Sequence, residues 1–331
     1  MPGLRNIKLK LSGKLKGLSR DAGWHLGLNR SFFKNARGAR ILVYHGICRD
    51  DHLRFNTLFL KLKVFESQLK LYKKYFNIIS LDDFYNGRFS DKQFNLCLTF
   101  DDGFANNYKY VLPLLEKYQV PAVFFITGIR DAGYDILWND VLSVSYRHGP
   151  SEIILKNEKF VKGKDKRYIS LSTGKRLAEL LRLTEFEDKA ELMQVLGPFK
   201  NQAEDDYWLQ ATEEQVRILS SSNWATIGSH SYYHNDLARV SDNSVNEDLR
   251  RSKDFLENIT GKEIKALAFP YGSYSRKVVD QAKHAGYSQL LATEFLFPED
   301  TGDVTLRERF TINPFISNIN QMHANITGNY K

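Results

Sequence analysis

From Ile41 onward, short apolar runs alternate with longer stretches whose apolar residues recur every three or four positions. Ile41-Leu42-Val43-Tyr44 reads as a buried strand that ends at His45. Residues 64–76 carry Phe65, Leu69, Leu71, Tyr72 and Phe76 at helical spacing, and 77–80 form a second short strand. Ser80-Leu81-Asp82-Asp83 has the composition of a helix cap. Leu96-Cys97-Leu98-Thr99-Phe100 is a further buried strand, and it runs straight into Asp101, Asp102 and Gly103. A helix over 105–119, bent by Pro113, and a strand over 120–127 follow. This rhythm predicts parallel βα units.

Residues 135–206 break the rhythm with a hairpin over 152–161, turning at Asn157-Glu158, and a charged helical stretch over 172–196. Because the alternation resumes afterwards, this segment reads as an insertion in one loop of the same domain. Helices near 213–221, 243–259 and 275–285 then separate strands at 225–229, 264–269 and 289–293. The last extended segment is Arg309-Phe310-Thr311-Ile312, and residues 317–331 are a C-terminal tail.

A chain of 331 residues, 42% hydrophobic, suits one large α/β domain and excludes wholesale disorder. Its two cysteines, Cys48 and Cys97, provide neither a disulfide framework nor a zinc-finger spacing. The net charge of +8 is uneven: residues 1–40 hold ten Lys and Arg against Asp21 alone, while the remainder holds 37 basic and 38 acidic groups. A near-neutral body argues against nucleic acid as a partner. In the basic leader, Leu4, Ile7, Leu11, Leu15 and Leu18 are separated by lysines and glycines, too interrupted for a secretory signal. The leader is either a solvated, partly disordered tail or a helix lying on an anionic membrane surface. With no stretch long enough to span a membrane, the expected location is the cytoplasm, with peripheral contact at the inner face of the membrane.

Chemistry concentrates at strand ends. In parallel sheets ligands gather at the carboxyl ends of strands, where Asp101 and Asp102 stand. His230 and His234, four apart, follow the strand at 225–229 in the same way. Two histidines and a carboxylate make a three-ligand metal site with open positions. A zinc protease of the His-Glu-x-x-His type is excluded because Ser231 occupies the glutamate position. A ferrous site has the same donors, but the second aspartate favours hydrolysis: one carboxylate holds the metal while its neighbour deprotonates a metal-bound water.

Together, Thr99-Phe100-Asp101-Asp102-Gly103, His230-Ser231-x-x-His234 and Phe269-Pro270-Tyr271-Gly272 resemble the first three motifs of the polysaccharide deacetylases of carbohydrate esterase family four. Leu42-Val43-Tyr44-His45-Gly46-Ile47 is similar to the opening of many bacterial members, and the resemblance covers residues 41–316. It implies an α/β fold, a distorted (β/α) barrel of about seven parallel strands. It also implies Asp101 as general base, Asp102, His230 and His234 as metal ligands, and the Tyr271 backbone N–H as an oxyanion donor. The implied metal is Zn2+, with Co2+ or Ni2+ accepted by relatives. The implied reaction removes N-acetyl, less often O-acetyl, groups from a bacterial glycan or a lipid- or nucleotide-linked sugar precursor.

His45, Pro270, Arg309 and Trp138 are the expected substrate contacts, with Trp138 and Tyr207-Trp208 as sugar-stacking platforms set against ordinary core packing. Two features depart from the pattern. Ala268 stands where the family has the arginine that orients the base, leaving Arg307 and Arg309 as candidates for that role. The late Leu-x-His motif is missing, since His323 lies in Gln321-Met322-His323, so His45 is the candidate proton donor. Competing readings are an amidohydrolase for a small non-sugar amide or formamide, and a catalytically silent glycan-binding module.

Overall fold

Strands without polar alternation need cover on both faces, and the chain supplies it with helices outside and side chains inside a barrel. In the computed structural model, which describes residues 15–330, nine strands form one sheet in which every pairing is parallel. They are β1 (Ala39–Tyr44), β2 (Phe76–Ile78), β3 (Phe94–Phe100), β4 (Ala122–Ile126), β5 (Ala225–Ser229), β6 (Ala266–Ala268), β7 (Gln289–Ala292), β8 (Leu306–Glu308) and β9 (Phe310–Thr311). The order is β8-β7-β6-β5-β4-β3-β1-β9, with β2 on the β3 edge that also carries β4. Strands β8 and β9 lie end to end, β8 on β7 and β9 on β1, so one broken strand nearly closes the sheet into a barrel with Arg309 at the break. Seven positions around the wall result, as expected.

Strand alternation sorts β3 into two faces. Leu96, Leu98 and Phe100 join the core shared with the outer helices, while Cys97 packs with Ile41, Val123, Phe125 and Ala268 in a separate cluster. Thr99 and Asp101 share the face of Cys97 by the period of two. Outside, the helices Leu62–Tyr75, Glu213–Ser221, Asp242–Thr260 and Arg276–His284 agree with the periodicity within a residue or two. Pro113 is absorbed by a five-residue π-helix, Asn107–Val111, that leads into the α-helix Leu112–Tyr118.

The insertion is a folded layer with its own core around Leu137, Trp138, Leu192 and Leu196. Its base is tied where the Gln210 N–H donates to the Asp135 carbonyl at 2.9 Å. The hairpin turns one residue earlier than expected, at Lys156-Asn157, both with positive φ, and a third strand, Tyr168–Ser170, extends it. The charged helical stretch is two helices, Leu177–Arg182 and Phe186–Leu196, because the extended residue Glu185 starts the second.

Both ends of the described residues, 15–330, pack on the body. The C-terminal helix Asn318–Thr327 buries Ile319, Gln321, Met322 and Asn325, and Asn325 donates to the Tyr72 hydroxyl at 3.0 Å. Within the leader, residues 15–25 are helical and Arg30–Asn35 is a short helix. Trp24 packs edge-on to Phe33 and Tyr75, and Asp21 accepts from Ser317 at 2.6 Å. Leu4, Ile7 and Leu11 of the expected membrane-surface helix lie outside the described residues. Among the described residues no helix is long and apolar enough to cross a membrane. Phe33, fully buried, gives a direct test of the leader's place in the fold. Phe33→Ala should cost about 3–5 kcal/mol in urea unfolding; a change below about 1 kcal/mol would mark residues 15–37 as an appendage.

Candidate active site

Asp101 and Asp102 leave the end of β3 in different directions because Asp102 adopts a left-handed backbone, φ 73°. Both carboxylates are buried. Asp101, on the inner face, receives a two-pronged ion pair from Arg309: Nη1 to Oδ1 and Nη2 to Oδ2, each 2.7 Å. The same Nη1 donates to Thr99 Oγ1 at 3.2 Å, and the guanidinium lies 5.3 Å from the Phe125 ring centre. Arg309, expected as a substrate contact, is 4% exposed and spends its guanidinium on Asp101 and Thr99. Alternation places it on the inner face, between Arg307, which pairs with Leu291 of the inner cluster, and Thr311, which pairs with Val43. Arg307 instead bonds backbone carbonyls of Asp303 and Leu306 and lies over Tyr85.

Burial alone would push the Asp101 carboxyl up, but Arg309, then His230, outweigh this and hold it below the ordinary carboxylate range. Asp102 is also pulled up by burial and carried well down by hydrogen bonds from His230 and His234. Its Oδ1 lies 3.3 Å from His230 Nε2 and 3.2 Å from His234 Nε2. The three donor atoms lie within 4.8 Å of one another.

The donor set fits a divalent metal on a feature of the chain itself. His230 Nδ1 is 2.8 Å from the Ala268 carbonyl, an acceptor, so Nδ1 carries the proton. The Nε2 lone pair of a neutral His230 then faces a carboxylate oxygen, and only a cation or an added proton can reconcile the two. Burial opposes that proton at both rings; Asp101 and Asp102 prevail at His230, which is raised, while burial prevails at His234, which is lowered. Asp102, His230 and His234 would therefore hold the ion through one oxygen and two imidazole nitrogens.

The loop carrying the histidines is strained and braced. Ser231 and His234 have positive φ, and the His234 N–H donates to Ser231 Oγ at 3.0 Å. Beneath it, Asp248 accepts from the backbone N–H groups of Tyr232 and Tyr233, and Ser252 shares a hydrogen bond with Ser229. Burial pushes Asp248 up to about 6 against these bonds. Sequence reasoning missed both braces, although Asp248 and Ser252 interrupt the apolar stripe of Val245, Leu249 and Leu256 on their helix.

Pro270, Tyr271 and Gly272 form a tight turn after β6 with Tyr271 at φ 59°. The Tyr271 hydroxyl lies 3.2 Å from His234 Nδ1. Gly272 is required there: its φ is 65°, and a Cβ would meet Thr293. His45, just past β1, is close enough for its charge to act on both aspartates.

Trp138, 4% exposed, does not offer an open stacking face; it lies in the insertion's core beside Tyr271, with Lys189 Nζ 5.7 Å from its ring. Tyr207 and Trp208 are likewise core residues. His323 stacks on Phe32, whose segment enters β1 from the end opposite the aspartates, so it is not the missing acid. The insertion contributes residues that no motif announced. Lys189, fully buried, donates to the Asn235 side chain and to the Thr184 carbonyl, and burial holds its amine at about 8. Phe186 stacks on Tyr233 at 4.2 Å, and Asp140 is pushed well up, first by burial and then by Asp102.

A parallel barrel with a carboxylate pair and two histidines converging at the strand ends is the framework of a sugar deacetylase. The chain belongs to the polysaccharide deacetylase family, whose sequence pattern matches residues 90–153 and 199–290 and passes over the middle of the insertion. No curated protein matches the chain in sequence. Among solved structures, it is similar to the Streptococcus pyogenes deacetylase PplD in complex with acetate, at 17% identity and a TM-score of 0.53 over 87% of this chain and 97% of that one. It is similar to a de-N-acetylase from Aggregatibacter actinomycetemcomitans at 19% identity and a TM-score of 0.52, covering 85% and 95%. IcaB from Ammonifex degensii aligns at 16% identity and a TM-score of 0.52, covering 85% and 94%. At these identities the likeness concerns the fold.

Arg309→Met strands a buried charge and should cost about 3–5 kcal/mol. With the pair intact, the depressed Asp101 stabilises the fold above its unfolded pKa of about 4, a contribution lost as pH falls through the folded value. Without Arg309 burial is opposed only by the weaker pull of His230 and His45, the carboxyl rises, and its contribution to stability falls as pH rises. The stability gap between wild type and variant should therefore widen from pH 4 to 7 in urea titrations. A pH-independent gap would remove the ion pair from the account.

Proposed function

We propose that the protein hydrolyses the N-acetyl group of a sugar in a bacterial glycan or a lipid- or nucleotide-linked glycan precursor. The observation that carries this reading is a buried carboxylate, Asp101, held ionised by Arg309 beside the Asp102, His230 and His234 cluster yet outside it. A binding module needs only the cluster; a free, charged carboxylate is what a hydrolase adds. A divalent metal at the cluster, zinc first with cobalt or nickel as alternatives, supplies Lewis-acid polarisation of the acetyl carbonyl and a more acidic attacking water.

The chain's own residues do the rest. Asp101 takes the proton from the attacking water, with Arg309 fixing the carboxylate plane so that it neither drifts nor joins the cluster. Tyr271, in its left-handed turn, presents its backbone N–H to the developing oxyanion. His45 delivers a proton to the departing amine; its proximity to both aspartates supports this role.

Acetate release from a panel of N-acetylated glycans tests the reading. Asp101→Asn should lower kcat by roughly 10²–10⁴-fold with the metal still bound, and a chelator should abolish activity that zinc, cobalt or nickel restores. No acetate from any substrate by metal-loaded wild type would sink it.

A peripheral membrane contact is the second part of the proposal. Leu15, Leu18, Leu26, Leu28 and Phe32 are exposed on the leader, with Leu26 and Leu28 at 74% and 75%, among Lys16, Arg30, Lys34 and Arg37. Apolar side chains set among cations suit the surface of an anionic bilayer. The protein should co-sediment with vesicles containing phosphatidylglycerol but not with phosphatidylcholine alone, and Leu26→Ser/Leu28→Ser should weaken this; equal binding to both vesicle types would refute it.

A further inference from the structure

The mouth of the site has one wall that the motifs do not supply. Arg182 is the last residue of the insertion helix Leu177–Arg182. Its guanidinium carbon stands 4.7 Å from the centre of the Tyr271 ring, the ring whose hydroxyl reaches His234 and whose edge packs against it at 4.9 Å. On its other side, Arg182 Nε donates to Asp236 Oδ2 at 2.7 Å, and Asp236 is fully buried just beyond the ligand loop. Two contacts thus fix the plane of the guanidinium, yet they use a single N–H. The Arg182 side chain remains 44% exposed, and among the described residues no hydrogen bond engages its terminal amino groups.

A guanidinium held by its Nε edge, with its outer edge free, is arranged for two-pronged recognition of a planar or tetrahedral oxyanion. Pinning the insertion to the ligand loop takes only the Nε bond to Asp236 and the Tyr271 ring, which leaves both terminal amino groups for a ligand. The neighbouring cation, Lys189, is spent on Asn235 and Thr184 within the interior and is inaccessible to a ligand.

We propose that Arg182 receives an oxyanion carried by the substrate, a phosphate ester or a carboxylate on the N-acetylated sugar. This rests on the deacetylase reading above and narrows its substrate class: the sugar whose acetamido group enters the site bears a negative charge close to it. The orientation follows, with the acetamido group towards Asp101 and the anion over Tyr271.

The test compares three substrates for metal-loaded wild type, Arg182→Met and Arg182→Lys: a nucleoside-diphosphate-linked N-acetylhexosamine, a uronate-containing N-acetylated oligosaccharide and a neutral N-acetylhexosamine oligomer. Wild type should prefer at least one anionic substrate. The ratio of its kcat/KM to that of the neutral oligomer should fall at least tenfold in Arg182→Met, through KM, with partial recovery in Arg182→Lys. Which anionic substrate loses its advantage identifies the source of the charge. An unchanged ratio in Arg182→Met, or a wild-type preference for the neutral oligomer, overturns the proposal. A second measurement separates this from the deacetylase reading: calorimetric binding of a nucleoside-diphosphate glucose, which has no acetyl group. Weakening by tenfold or more in Arg182→Met upholds the anion site even if no acetate is ever released; equal affinity in both proteins, for this ligand and for a uronate oligosaccharide without acetyl groups, refutes it.

Discussion

The ion pair between Arg309 and Asp101 is the constraint on which the site depends. A carboxylate facing the inside of a barrel is intolerable as a bare charge, and neutralised it could not serve as the base proposed for it. Both problems are met by a guanidinium reaching it across the interior with two bonds of 2.7 Å. The pair also separates two adjacent aspartates that are chemically identical in sequence. Asp101 is saturated on the Arg309 side, and Asp102, swung away by its left-handed backbone, is left to the histidines. A division of labour between neighbours is thus written in backbone geometry and one remote cation.

Strain is concentrated in the same place. Of the eight non-glycine residues with positive φ in the described chain, Asp102, Ser231, His234 and Tyr271 belong to the three motif turns. Each such residue costs of order 1–3 kcal/mol, so the surrounding structure must over-determine it. Asp248 bonds two backbone N–H groups of the histidine loop, and the Ala268 carbonyl fixes the tautomer of His230. The insertion adds Lys189 and Phe186 from above. The ligand loop is therefore held from both sides, which suits a site whose donors must not rearrange when they share a small cation.

Most of the barrel was legible in the sequence because parallel strands need largely apolar runs, and β1, β3 and β4 have them. The ligands were legible because two short motifs sit where such strands end. Arg309 was legible only as a vacancy at Ala268 that some later arginine had to fill; Arg307 and Arg309 share one face by alternation, and no local pattern says which of them reaches the carboxylate. Trp138 misled because an aromatic near a motif looks the same in sequence whether its face is open or packed. The left-handed turns at Asp102, Ser231, His234 and Tyr271 left no trace, since none of them is glycine. Arg182 and Lys189 belong to an insertion whose charge pattern reads as a solvated helix face, and their contacts exist only once that layer folds down onto the barrel.

The broken strand at Arg309 also fixes an order of events in the life of the chain. Arg309 lies 208 residues after Asp101, so nearly the whole barrel leaves the ribosome before its interior carboxylate has a counter-charge. Until the segment 306–311 bridges β7 and β1, the Asp101 carboxylate lacks the guanidinium that holds it in the finished barrel. Closure of the wall and pairing of the carboxylate are then one event. A chain that stops short of this strand lacks the arginine as well as the last stave, and loses the barrel's closure and its interior ion pair together.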